Sequence, residues 1–226
     1  MRNLKKYSNH SGYSADERAS GYNVSICKSE NHTHYDKPYD SKVEYLESTY
    51  SNSGGVFYVD ADFVPKDTPR IVVNVCHTSA SDSHMFGMPT AQVPYWLGNI
   101  NRASNKLSFT FYYRYYSTTY TNFTASTSPN PYITLDVGYE VKVDGTTVRT
   151  FERQDFSANT QHVYLFGNGK YSHSVRIAWC KFYDGDTLIR DLIPVRVGQV
   201  GYMYDRISKR LFGNSGTGTF TLGPDI

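Results

Sequence analysis

Between Ile133 and Val143 every second residue is apolar or aromatic: Ile133, Leu135, Val137, Tyr139, Val141 and Val143 alternate with Thr134, Asp136, Gly138, Glu140 and Lys142. A helix would scatter these side chains around its axis, whereas a strand sends them alternately to two faces, so the run must be a strand with one buried side. It ends at Asp144-Gly145, a pair favoured in type I′ turns because both central positions need φ > 0. A two-residue loop there pairs Val143 with Thr146, Val141 with Val148 and Glu140 with Arg149. Apolar and opposite-charge pairs then coincide, which selects that register.

The same period recurs along the chain. Strands are expected at Val43–Glu47, Val56–Val64, Ile71–Cys76, Lys106–Tyr116, Val163–Phe166, Val175–Tyr183 and Leu188–Val195, then at Tyr202–Asp205, Arg210–Phe212 and Thr219–Leu222. Turn-forming residues separate them, and Asp184-Gly185-Asp186-Thr187 marks another hairpin. Aromatics make up 15% of the chain, with 21 Tyr, and such side chains suit a pleated, half-buried surface. Helix-period blocks are missing, so the fold expected is an all-β sandwich. Trp179 sits in a run apolar on both faces and is expected in the core.

Residues 1–42 read differently. They are rich in Ser, Asn, His, Tyr and Lys and cannot bury enough apolar area to fold alone, so they are expected to form an arm gripped by neighbours. The domain proper is expected over 43–226. A formal net charge of +2 gives no concentrated basic face, which argues against a nucleic-acid partner. No apolar stretch suits a signal peptide or membrane insertion, and Cys27, Cys76 and Cys180 are widely spaced. They read as free thiols in a protein made in a reducing cytoplasm.

Several blocks carry a resemblance. Val43–Thr49, Val143–Thr146, Cys180–Val195, Gly201–Asp205 and Phe212–Phe220 resemble segments of laminin-G-like, concanavalin A-like jelly-roll domains found in gut bacteriophage proteins. Asn23-Val24-Ser25 with His34-Tyr35 resembles particle-attachment segments of virion proteins in phages of Bacteroidales-type hosts. The opening block departs from the family after Thr49, where Tyr50–Gly55 stands in place of its usual continuation. The resemblance implies a jelly-roll domain on a virion surface, as a capsid decoration, head fibre or tail-associated protein. It also implies a homo-oligomer such as a trimer, other virion proteins as partners of the arm, and host or mucosal glycans as ligands. A free lectin-like module and a glycoside hydrolase on the same fold are the alternatives.

A glycosidase needs two carboxylates flanking the scissile bond. The pattern Glu-x-Asp-x-x-Glu does not occur, and Glu44 and Glu47, three apart on a strand, point to opposite faces. No enzymatic activity and no cofactor are expected. For glycan binding the candidates are Tyr112, Arg114 and Tyr116 on one strand, with Tyr120 and Trp96 from loops, because sugars stack on aromatic rings and bond to polar neighbours. The plainer reading makes these tyrosines amphipathic sheet residues reaching water or a subunit interface. His32 and His34 could meet a metal on a three-fold axis, as in similar His-x-His fibre motifs, but exposed histidines are the commoner case and no metal is expected. His77 and His84 read as loop residues. Asp60, Asp62, Asp184 and Asp186 offer oxygen ligands of the kind calcium uses, without the number it needs.

Overall fold

The computed structural model describes residues 37–49, 56–78, 83–89, 96–103, 106–113, 116–124, 132–169 and 174–226. The chain divides into two units, Met1–Asp40 and Ser41–Ile226. Most of the expected arm, including His32 and His34, lies outside the described residues.

In chain order the strands are Ser41–Lys42 (β1), Leu46–Ser48 (β2), Val59–Asp60 (β3), Pro69–His77 (β4), Ser83–Gly87 (β5), Trp96–Ala103 (β6), Lys106–Tyr113 (β7) and Tyr116–Thr124 (β8). Then come Ile133–Val137 (β9), Glu140–Val143 (β10), Thr146–Thr150 (β11), Tyr164–Leu165 (β12), Val175–Asp184 (β13), Thr187–Val197 (β14), Val200–Asp205 (β15), Leu211–Phe212 (β16) and Thr221–Leu222 (β17). The larger sheet runs β11-β10-β9-β4-β13-β14-β15-β16, with β1 on β14, β2 on β13 and β17 on β2. The smaller runs β3-β12-β5-β6-β7-β8.

Among the described residues every ladder is antiparallel, and the chain crosses repeatedly between the sheets: β5–β8 and β12 belong to the smaller one, β9–β11 and β13–β17 to the larger. This is the all-β sandwich that the strand pattern led us to expect, and the jelly roll that the resemblance implies. One core joins the two inner faces, with Met85, Phe86 and Leu165 from the smaller sheet against Val73, Leu135 and Phe182 from the larger. Phe63 stacks on Phe182 with ring centroids 4.7 Å apart, and Phe220 meets Phe166 at 4.6 Å. Each such fully buried ring contributes about 2–3 kcal/mol of transfer free energy.

The β10–β11 hairpin turns as expected. Asp144 and Gly145 take φ of 47° and 81°, and Val143 faces Thr146. Beyond Lys142 the register departs from expectation. A β-bulge places Val141 opposite Arg149 and Glu140 opposite Thr150, where an unbroken ladder would give Val148 and Arg149. Val148, the extra residue of the bulge, keeps its contact with the core.

Other expectations change for equally local reasons. Val56–Val64 pairs only at Val59–Asp60: before it the Val56 and Tyr58 carbonyls accept from Thr217 and Ser215, and after it Asp62 adopts a left-handed φ of 52° and its N–H bonds back to Asp60 Oδ1 at 2.9 Å. Lys106–Tyr116 is not one strand: Lys106–Tyr113 pairs antiparallel with Tyr116–Thr124, and Tyr113 stands opposite Tyr116. His77 and His84 lie in β4 and β5 rather than in loops. Ser41 and Lys42, which composition assigns to the arm, pair with Arg196 and Val195.

Candidate functional site

Trp179 is half-buried on the outer face of the larger sheet rather than packed inside the core. Alternation along β13 puts Val175 and Ile177 inward and would put Trp179 inward too. A bulge intervenes: Ile177 faces Val75, Trp179 faces Asn74, and Ala178 is the extra residue. The pleat resumes one step late, so Cys180 and Phe182 enter the core and the indole turns outward.

Around the indole lies a groove of about 380 Å³. Lys181 and Asp191, which face each other across β13 and β14, line it together with Lys42, Ile193, Pro194 and Arg206. The C-terminal segment forms a wall through Ile226, whose N–H donates to Lys42 O at 3.0 Å. Arg196 clamps that segment through a two-pronged pair with Asp225, at 2.8 and 2.7 Å, and holds the Asp225 carboxyl below the ordinary carboxylate range.

Asp191 is fixed from three directions. Its N–H donates to Asp205 Oδ1 at 2.8 Å, its carbonyl accepts the Arg206 N–H at 2.8 Å, and its Oδ2 takes the Arg206 guanidinium at 2.9 and 2.6 Å. Asp191 is only 8% exposed, and its Oδ1 accepts no hydrogen bond from the protein. A buried carboxylate oxygen left without a donor is costly, so the compensation for this group falls on the Arg206 contacts to Oδ2. The Lys181 ammonium sits 5.9 Å from the Trp179 ring centre. An aromatic platform thus stands beside a positioned carboxylate and a guanidinium, a set that matches the apolar and hydroxyl faces of a sugar.

The residues singled out from sequence are arranged differently. Trp96 stands opposite Tyr113, which in turn stands opposite Tyr116; Tyr112 faces Leu97 and Ser117, and Tyr120 faces Phe109. Tyr112 is therefore one register step away from the row of Trp96 and Tyr116, and the three do not follow one another along a single strand. Trp96 and Tyr120 belong to β6 and β8 rather than to loops. Arg114 lies outside the described residues.

Asp60 and Asp62 are engaged by protein side chains. His162 Nδ1 meets Asp60 Oδ1 and Oδ2 at 2.8 and 2.9 Å, and Arg210 reaches Asp62 at 3.3 Å. Arg190 pins the same turn by donating to the carbonyls of Ala61 and Asp62, both at 2.8 Å. Asp184 serves the fold, accepting the Asp67 N–H at 3.1 Å. Among the described residues no three His, Cys, Asp or Glu groups are placed to hold a metal ion. Cys180 is wholly buried; desolvation first, and the Asp191 charge second, push its thiol far up and keep it protonated.

No protein-family model and no curated protein matches the sequence. Solved structures similar to it include the mouse laminin alpha1 chain, domains LG4-5, at 12% identity and a TM-score of 0.45, covering 74% of this chain and 49% of that one. The Ruminococcus gnavus IT-sialidase CBM40 bound to alpha2,6 sialyllactose aligns at 14% identity and a TM-score of 0.38, over 58% of this chain and 90% of that one. A prokaryotic beta-1,3-1,4-glucanase (lichenase) derived from a mouse hindgut metagenome aligns at 13% identity and a TM-score of 0.34, over 65% and 94%. The match therefore spans about half the length of the laminin chain. These likenesses are ones of fold.

Proposed function

We propose that the chain is a non-catalytic glycan-binding protein displayed on a bacteriophage particle, with the sandwich gripping host or mucosal glycans and the leader joining it to other virion proteins. The observation that carries the binding half is the outward Trp179 beside the fixed Asp191–Arg206 pair. Stacking on an indole supplies affinity, and hydrogen bonds from positioned polar groups supply selectivity. The virion half rests on the resemblance in the C-terminal blocks.

The charges in the site favour binding over hydrolysis. A glycosidase needs a carboxylic acid whose pKa is raised so that it can protonate the leaving oxygen. Among the residues lining the Trp179 groove, Asp191 is the one acidic side chain, so no second side-chain carboxylate stands across it. Asp191 is paired with Arg206 at 2.6 Å.

A glycan array carrying mucin O-glycans and bacterial surface polysaccharides tests the binding half, read with the wild-type chain and Trp179→Ala. Specific binding that the substitution abolishes is the expected result; equal binding by both proteins would refute the assignment. Removing residues 1–40 tests the virion half. The shortened protein should stay folded and soluble but fail to join particles, and normal incorporation would rule out a role for the leader. A free lectin-like module would show the array result without any particle association.

A further inference from the structure

A row of outward residues crosses five strands of the larger sheet. Asp191 on β14 faces Lys181 on β13, Lys181 faces Val72 on β4, Val72 faces Asp136 on β9, and Asp136 faces Lys142 on β10. Directly opposed residues share a face. Their chain neighbours Cys180, Val73, Leu135 and Val143 fill the core, so this row lies on the outside.

The row joins two recesses. One is the Trp179 groove. The other, of about 290 Å³, is lined by Arg70, Asp136, Tyr139, Glu140, Lys142 and Arg153 among others. Several of its charged groups already have partners. Arg70 forks onto Asp136 at 2.7 and 2.9 Å, Lys142 meets Glu140 at 2.7 Å, and Arg153 lies 4.4 Å over the Tyr139 ring. Such pairing holds donors and acceptors in place before a ligand arrives, which lowers the ordering cost of binding. It does not exhaust them, since a carboxylate offers about four lone-pair sites and a guanidinium five N–H groups.

Charge alternates along the row, acid, base, apolar, acid, base, so no stripe of one sign is presented. A polyanion would meet a like charge at Asp191 and at Asp136, two of the five positions in the row. A hydroxyl both donates and accepts, and suits every polar position; Val72, half-buried midway, offers apolar surface to a ring's CH face. Neighbouring strands lie about 4.8 Å apart, so β14 to β10 spans about 19 Å, roughly four pyranose units.

We infer that the ligand is a largely neutral oligosaccharide of about four sugar units lying across the strands, held at one end in the Trp179 groove, which reaches Asp191 on β14, and at the other in the Arg70–Lys142 recess. This rests on the glycan-binding reading above and extends it to chain length and direction.

Calorimetric titration of the full chain with size-graded xylo-, manno- and galacto-oligosaccharides, from monomer to hexamer, tests it. For at least one series, affinity should rise by about tenfold or more between dimer and tetramer and then level off. The double variant Arg70→Gln/Lys142→Gln should lose that gain yet keep the dimer affinity, while Trp179→Ala should lose binding at every length. If the double variant melts early, Lys142→Gln alone, changed at the surface, carries the same expectation. Length-independent affinity that the double variant leaves untouched would overturn the extended site and leave the Trp179 groove standing. No binding in any series, with Trp179→Ala indistinguishable from wild type, would sink both.

Discussion

The Asp205 carboxylate accepts the backbone N–H of Asp191 at 2.8 Å and so ties the last residue of β15 to the strand that supplies the groove's acid. Asp205 is completely buried, and the same carboxylate accepts the N–H groups of Ile207 and Ser208, both at 3.1 Å, and the Ser208 hydroxyl at 2.7 Å. It organises the β15–β16 turn from which Arg206 reaches Asp191. Asp205→Ala should lower stability by about 2–4 kcal/mol, because four donors lose a charged acceptor. Urea unfolding checks this: the midpoint should fall with an unchanged slope.

Burial by itself would raise the Asp205 carboxyl, but the four hydrogen bonds outweigh it and hold the group below the ordinary carboxylate range. The folded protein then takes up that proton less readily than the unfolded chain. Its stabilisation is complete above the ordinary carboxylate range and is lost as pH falls through the lowered folded value. The stability gap between wild type and Asp205→Asn should therefore be widest near neutrality and shrink below about pH 4. A gap that stays constant down to pH 2.5 would contradict this account.

Gly145 has φ of 81°, and a Cβ built on it would touch nothing. Gly145→Val should therefore act through backbone strain alone, costing about 1–3 kcal/mol. Asn, which tolerates the left-handed region, should cost clearly less. An unchanged melting temperature for the Val variant would refute the assigned turn.

The loop at Asn214–Gly218 is laced to Val56–Tyr58: the Ser215 N–H donates to Tyr58 O at 2.9 Å and the Thr217 N–H to Val56 O at 3.0 Å. A Cβ at Gly216 would lie 1.6 Å from Val56 O, and one at Gly218 would lie 2.3 Å from Phe57 Cζ. A ring can rotate aside and a paired carbonyl cannot, so Gly216→Ala should destabilise more than Gly218→Ala, which should cost about 1–3 kcal/mol. Thermal melts of the two variants give the order directly.

The Asp144-Gly145 hairpin was legible because its cause is local: two residues with φ > 0 between alternating apolar runs dictate the turn wherever it sits. The all-β class was legible for the same reason, as the pleat's period of two is written residue by residue. The candidate site was mostly not. The rule of alternation predicts a buried Trp179, and only the Ala178 bulge, set by pairing with β4 more than a hundred positions away, turns the indole outward. Asp205 and Asp191 give no local signal, because their meaning comes from donors that the β14–β15 pairing brings together. What this sequence determined by itself was its strands and tight turns, which depend on each residue's own backbone preferences and the side-chain period. Which side chains share a groove was decided only by the tertiary structure, because register, bulges and strand order depend on contacts between residues distant in the chain.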